Sequence, residues 1–268
     1  MFVDSHCHLS FPELQSQLPQ IRQAMADAKV DRALCICTTL EEFEDVHALA
    51  MGYDNFWASA GVHPDTENLA EPSVETLLEL AARPRVVGIG ETGLDYYDME
   101  GRKGGRTVAD MEWQRERFRV HIRAAQACRK PLIIHTRSAS GDTVAILKEE
   151  GEDGSAGSAG GVFHCFTETM DVARAALDLG FHISFSGILT FKSAADLREV
   201  AKFVPMDRML IETDSPYLAP VPYRGKVNNP AYVPYVARQV AELRGLSVEA
   251  VGEATSRNFE ALFRGVQA

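Results

Sequence analysis

The chain lacks any apolar run long enough to span a bilayer, and its first residues carry Asp4, His6 and His8 where an export signal would place a basic and then an apolar stretch. Neither a membrane span nor a targeting segment is expected, so the protein is read as cytoplasmic. Cysteine is sparse and poorly arranged for cross-linking: there are 5, an odd number, with Cys35 and Cys37 inside an apolar run and no CxxC anywhere. This argues for a reducing compartment and against a disulfide framework. Positive charge is in deficit as well. With 27 Lys+Arg against 38 Asp+Glu, the formal net charge is -11, which argues against a broad electrostatic footprint on duplex nucleic acid and leaves room only for a small local contact.

What is present suffices for a large core: 46% of the 268 residues are hydrophobic, and this length is common for a single α/β barrel. Short apolar, β-branched runs recur at Phe2–His6, Ala33–Thr38, Trp57–Val62, Val86–Glu91, Pro131–His135, Gly161–His164, His182–Gly187 and Met209–Glu212. Stretches of helical periodicity separate them, among them Leu14–Lys29, Met111–Ala127 and Val233–Arg244. Repeated βα units of this number predict one domain over residues 1–268, a (β/α)8 TIM barrel of the α/β class. Two insertions, Asp98–Arg106 (DMEGRKGGR) and Gly151–Gly161 (GEDGSAGSAGG), are rich in Gly, Ser and charge and are expected to be mobile loops.

The reactive residues fall at or just past the C-terminal ends of these strands. His6 and His8 end the first, His63 the third, Glu91 the fourth, His135 the fifth, His164 the sixth and Asp214 the eighth. That end of a barrel is where active sites form. Within a strand, His6 and His8 share a face and Cys7 takes the other. Each residue alone has an ordinary structural reading, a hydrogen-bonded core histidine or a helix cap. Imidazoles and carboxylates converging on one mouth, however, form a costly polar cluster unless cations satisfy them, and an N/O donor set suits Zn, Mn or Mg. His6, His8, Glu91, His135, His164 and Asp214 exceed the needs of one tetrahedral ion, so two divalent metals are expected. Glu91 is placed to bridge them. The fourth strand, VVGIGETG, offers no lysine for that role.

Other residues carry two readings each. His63 either contacts substrate or moves a proton, or else makes a structural hydrogen bond. Arg224 and Lys226 in PYRGKVNNP form either a phosphate contact or a solvated turn, and Tyr96 and Tyr97 either stack on a terminal base or pack under the next loop. Glu212 is a candidate supporting group behind the ligands. Cys165, His47, His121 and His182 are read as packing residues.

The motifs DSHCHL, GVHPD, GETGLDYY, PLIIHTR, FHCFT, FSGILTFK, ETDSPYLAP and RGK occur in an order that resembles the TatD-type metal-dependent deoxyribonucleases. The resemblance implies a two-metal site on the six ligands named above, with His63 near the substrate phosphate. It further implies a phosphodiester hydrolase, in some members a 3′→5′ exonuclease on single-stranded DNA. A narrow barrel mouth on an acidic protein suits DNA ends or flexible single strands, and Asp214 is expected to serve as both ligand and base. In some relatives the same barrel implies an acyl hydrolase such as a D-aminoacyl-tRNA deacylase. The loop reads RGKVNNP where the family commonly has RGKRNEP. No protein partner is implied, and a monomer is expected.

Overall fold

The computed structural model describes residues 1–101 and 103–266. Strands β1 (Phe2–Cys7), β2 (Val30–Cys35), β3 (Phe56–Ala60), β4 (Val86–Asp95), β5 (Leu132–Arg137), β6 (Gly161–Phe163), β7 (His182–Phe185) and β8 (Met209–Ile211) pair in sequence order, every neighbour parallel. Parallel neighbours need crossover helices. These are α1 (Pro12–Gln15), α2 (Leu18–Asp27), α3 (Phe43–Gly52), α4 (Val74–Ala81), α5 (Glu112–Cys128), α6 (Ser140–Glu149), α7 (Met170–Asp178), α8 (Ala195–Phe203), α9 (Val233–Arg244) and α10 (Val248–Leu262). The result is the expected (β/α)8 barrel. Two helical expectations change: Leu14–Lys29 divides into α1 and α2, because Pro19 has no N–H to donate and fits only the first turn of a helix. The last helix, α10, had no counterpart in the sequence reading.

Two apolar layers hold the fold. The outer one, between sheet and helices, includes Phe2, Ala33, Ile89, Phe118, Ile134 and Ile183. The inner one fills the barrel with Val3, Leu34, Trp57, Val87, Ile133, Val162 and Leu210. Phe259, Phe263 and Val266 join this inner layer, and Arg32 near the start of β2 donates to the Val266 carbonyl, so α10 and the residues after it close the barrel floor. Burying a phenylalanine there contributes roughly 1.5–3 kcal/mol.

Irregularities in register decide what faces the opposite end. In β1, Asp4 pairs with Ala33 and Cys7 with Cys35, three steps against two. From Val3, strict alternation would point Cys7 inward; the extra residue turns Cys7 into the outer layer and brings His6 and His8 to the lumen. In β4, Ile89 pairs with Leu132 and Thr92 with Ile134, again three against two, around Glu91. Only glycine fits beside it: Gly93 has φ 126°, and a Cβ there would lie 2.0 Å from the His135 carbonyl oxygen. Between β8 and β1 the ladder shrinks to one bridge, Cys7 with Ser215. Side chains close this seam instead. The buried Asp4 carboxylate accepts from the Thr213 N–H (2.9 Å) and hydroxyl (2.5 Å), and Ser5 Oγ donates to the Ile211 carbonyl at 3.0 Å.

Both insertions, expected as loops, make charge pairs and hydrogen bonds with their surroundings. In the first, Lys103 pairs with Asp65 and Arg106 with Glu67 (2.5 Å), so it folds over the loop after β3. Arg102 of that segment lies outside the described residues. In the second, buried Glu152 accepts from the N–H groups of Ala159 (3.0 Å) and Gly160 (2.9 Å). All five cysteines are free. Among the described residues, no helix is long and apolar enough to cross a membrane.

Candidate metal centre

The C-terminal strand ends surround a cavity of about 740 Å³ whose lining includes His8, His63, Glu91, His135, His164 and Asp214. Glu91, 3% exposed, lies at the centre of the cluster. Its Oε2 faces His6 Nε2 (3.3 Å) and His8 Nε2 (3.9 Å), whereas Oε1 faces His164 Nε2 (2.8 Å), His135 Nδ1 (3.2 Å) and His63 Nε2 (3.4 Å). Asp214 sits on the Oε2 side, with Oδ1 at 3.4 Å from His8 and 3.7 Å from His6. Its backbone is left-handed (φ 55°), a conformation Asp tolerates better than most residues, and its N–H donates to the His6 carbonyl. The structure thus brings together all six residues expected as ligands.

The donor atoms approach without pairing. Neither nitrogen of His6, nor Nδ1 of His8, nor Nε2 of His164 has an aligned hydrogen-bond partner, although all are buried. The His6 and His164 rings stack at 3.8 Å with planes 6° apart. Among the described residues, three groups of donors lie close enough to hold an ion: His6–His8–Asp214, His63–Glu91–His135 and His6–His164–Glu212.

Electrostatics follow from this crowding. Burial alone would raise the Glu91 carboxyl, but His164, His63 and His6 hold it well below the usual carboxylate range. Burial likewise opposes ionisation of Asp214, and His8, His6 and His164 outweigh it, so its value also falls. Burial would lower His164, yet Glu91 and Glu212 lift it well above the ordinary imidazole value; His8 rises in the same way through Asp214 and Glu91. His6 goes down, through burial first and then the neighbouring His164.

Two carboxylates that the sequence reading passed over or kept in reserve hold the far sides of the rings. Asp95 Oδ2 lies 3.1 Å from His135 Nε2, and Glu212 Oε1 lies 3.2 Å from His164 Nδ1 while accepting from the Cys165 N–H at 2.8 Å. Carboxylate–imidazole pairs of this kind orient metal-binding histidines. Burial opposes ionisation of Asp95, but His135 brings it down to about 2. Asp95 was legible in principle, since it lies four residues after Glu91 and a strand's period of two puts both on one face.

His63 is more crowded than expected. Its Nδ1 accepts the Asp65 N–H at 3.1 Å, which leaves the proton of the neutral ring on Nε2, pointing at Glu91. Helix α5 fixes the backbone that carries it: Val62 N–H donates to His121 Nε2 at 3.0 Å, and buried Arg117 donates to the carbonyls of His63 (3.0 Å) and Thr66 (2.8 Å). Burial pushes His121 down to about 4, so it is the neutral acceptor this bond needs.

Three expected substrate residues are not at the cavity. Tyr96 is 6% exposed, and its hydroxyl donates to Asp142 Oδ2 (2.9 Å) and accepts from Arg115 (3.1 Å). Packing takes that ring, so it offers no face for stacking. Arg224 and Lys226 stand on the exposed surface outside the cavity lining, Arg224 spread over the Phe191 ring at 3.5 Å. The lining cation is Arg137, whose guanidinium lies 3.6 Å from the centre of the exposed Tyr97 ring.

Comparison with known proteins agrees with this geometry. The family model described as TatD related DNase matches residues 3–264. The metal-dependent hydrolase YcfH of Escherichia coli K12 is 46% identical over 97% of this chain and 95% of its own. A protein of Escherichia fergusonii named 3'-5' ssDNA/RNA exonuclease TatD is 33% identical over 88% of each chain. Among solved structures, the TatD homologue YjjV of Escherichia coli superposes with a TM-score of 0.86 at 28% identity, covering 98% of this chain and 97% of that one.

Proposed function

The chain belongs to the TatD related DNase family of metal-dependent hydrolases, and from that premise we propose that it cleaves phosphodiester bonds at DNA ends or in single strands with two divalent ions at the barrel mouth. The observation that carries this reading is the division of Glu91, one oxygen toward His6 and His8, the other toward His135 and His164. The donor set fits such ions: its buried nitrogens lack other partners, and imidazole with carboxylate suits Zn, Mg or Mn. His6, His8 and Asp214 with Glu91 Oε2 would hold one ion, and His135 and His164 with Glu91 Oε1 the other.

When bound, such a pair supplies Lewis acidity and makes water a nucleophile at neutral pH. The remaining tasks fall to the chain. Asp214, held ionised and 15% exposed at the side chain, orients the attacking water and accepts its proton. His63 donates its Nε2–H to a non-bridging phosphate oxygen, a role its tautomer suits better than metal ligation. Glu212 and Asp95 keep the two ligand rings in place. A cavity recessed in a barrel mouth favours a chain end or a flexible strand, because a stiff duplex cannot lower an internal phosphate into it without distortion. The relative named as an exonuclease on ssDNA and RNA supports that substrate class. A monomer in the cytoplasm completes the reading.

The test is incubation of metal-reconstituted protein with end-labelled single- and double-stranded DNA, RNA and an acyl-tRNA, with a chelator control. Chelator-sensitive shortening of single strands from one end is the expected result. Turnover of the acyl substrate alone would overturn the assignment.

A further inference from the structure

At the opposite end of the barrel, the N-terminal strand ends enclose a second cavity of about 450 Å³. That volume falls within the roughly 300–1,000 Å³ range of small-molecule sites. Its composition departs from the rest of the molecule. In a chain with 38 Asp+Glu and 27 Lys+Arg, this cavity is lined by Arg129, Lys130, Arg208 and Arg264, with no acidic residue among the described lining. Lys130 donates to the Val86 carbonyl at 2.5 Å and Arg208 to the Gly180 carbonyl at 3.1 Å. Arg129 and Arg264 are exposed and, among the described residues, make no side-chain hydrogen bond or ion pair. Two cations without a protein counter-charge among the described residues thus line one concavity, a setting that favours an anion.

The glycine-rich insertion supplies one wall. Glu152 and Ser158 hold its ends, Ser158 Oγ accepting from the N–H groups of Asp153 and Gly154 at 3.1 Å each. The N–H groups of Ala156 and Gly157, at the turn between, donate to no protein acceptor among the described residues. His182 lies in the same lining, 9% exposed, and its buried Nδ1 has no partner. Val87, Pro131 and Leu262 add apolar surface to the same lining.

From these features we infer that the floor cavity is a binding site for a phosphomonoester of mononucleotide size, separate from the metal centre. The arginines and the turn amides take the phosphate, His182 meets a sugar hydroxyl, and the apolar wall takes the base. The inference does not rest on the proposed reaction, since the two sites occupy opposite ends of the barrel.

The experiment titrates zinc-loaded, isotope-labelled protein with AMP, ribose 5-phosphate, inorganic phosphate and adenosine while amide resonances are followed. AMP should give saturable shifts at residues 155–161 and at His182, ribose 5-phosphate and phosphate weaker ones, and adenosine none there. Any shifts at Thr136, Thr167 and Leu218 report the metal end independently. Replacing both exposed arginines, Arg129→Glu with Arg264→Glu, should weaken binding at the floor roughly tenfold or more and leave the mouth unchanged. Absence of saturable shifts at the floor up to about 10 mM AMP, equal response to adenosine, or equal affinity in the double variant would each overturn the assignment.

Discussion

The two ends of this barrel are built from the same strands and do opposite things. At the floor, Val87, Ile133, Val162 and Leu210 point inward and are sealed by Phe259 and Phe263, so the inner layer there is apolar. At the mouth, the continuation of those strands points Glu91, His135 and His164 inward, and several buried nitrogens are left without partners. A polar cluster of this kind is stable only where a rigid, already paid-for scaffold lies beneath it. On the proposed reading the floor carries stability and the mouth carries the chemistry, which makes the separation of the two testable.

The sharpest way to expose the division is Asp214→Asn, which should lower kcat/KM by at least about a thousandfold while circular dichroism and thermal midpoint stay near the parent's. Near-normal turnover would end its assignment as the base. The reciprocal change, Phe263→Ala, should cost roughly 3–5 kcal/mol of unfolding free energy by denaturant titration, because the floor cannot collapse around the void. Metal stoichiometry and turnover of the folded fraction should not move. If they do, floor and mouth are coupled.

Acid next separates the supporting helix α5 from the donors it backs. His121, pushed to about 4 in the fold against an ordinary value of 6.5, binds its proton more readily when unfolded, so the stability it permits is complete above pH 6.5 and is lost as pH falls toward 4. The loss amounts to roughly 3 kcal/mol. In metal-free protein, the raised values of His8, His135 and His164 have the opposite sign, adding stability below pH 6.5 that disappears as pH rises through their folded values. His121→Gln should keep an acceptor for the Val62 N–H and flatten the acid loss by about that amount. Identical pH slopes in parent and variant would contradict this.

Smaller effects belong to the supporting carboxylates. Glu212→Gln and Asp95→Asn should each weaken metal affinity roughly 10–100-fold by competition with a chelating dye. An unchanged affinity would mean that the pairs with His164 and His135 do not orient ligands. Smallest of all, Arg224→Ala with Lys226→Ala should alter turnover on single strands less than about threefold, since neither side chain lines the cavity. Arg137→Ala, removing the lining cation, should raise KM more than that pair does.

Much of this arrangement is legible in the residue order. The eight strands, the candidate ligand residues and their position at the C-terminal strand ends follow from period and spacing, because a parallel barrel places every strand's end at one rim. Other features escape that kind of reading. Tyr96 and Tyr97 are adjacent and chemically alike, and only the packing of Asp142 and Arg115 around one hydroxyl decides that Tyr96 is internal and Tyr97 exposed. Arg224 and Lys226 sit in a suggestive loop, yet the loop's path carries them outside the cavity lining. Helix α10 was missed because the barrel count is complete without it; its apolar residues serve the floor rather than a strand.

The sequence by itself determined which chemistry is available and at which end of the barrel: alternation along a strand and the common rim of parallel strands are local rules that need no distant contact. Only the tertiary structure decided how the donors divide around Glu91 and which carboxylates stand behind them. Those outcomes depend on extra residues in β1 and β4, on the side-chain seam from Asp4 to Thr213, and on α5 gripping the His63 loop. Register and seam are settled between segments far apart in the chain, where the energy of fitting one surface to another outweighs any preference written in a single stretch.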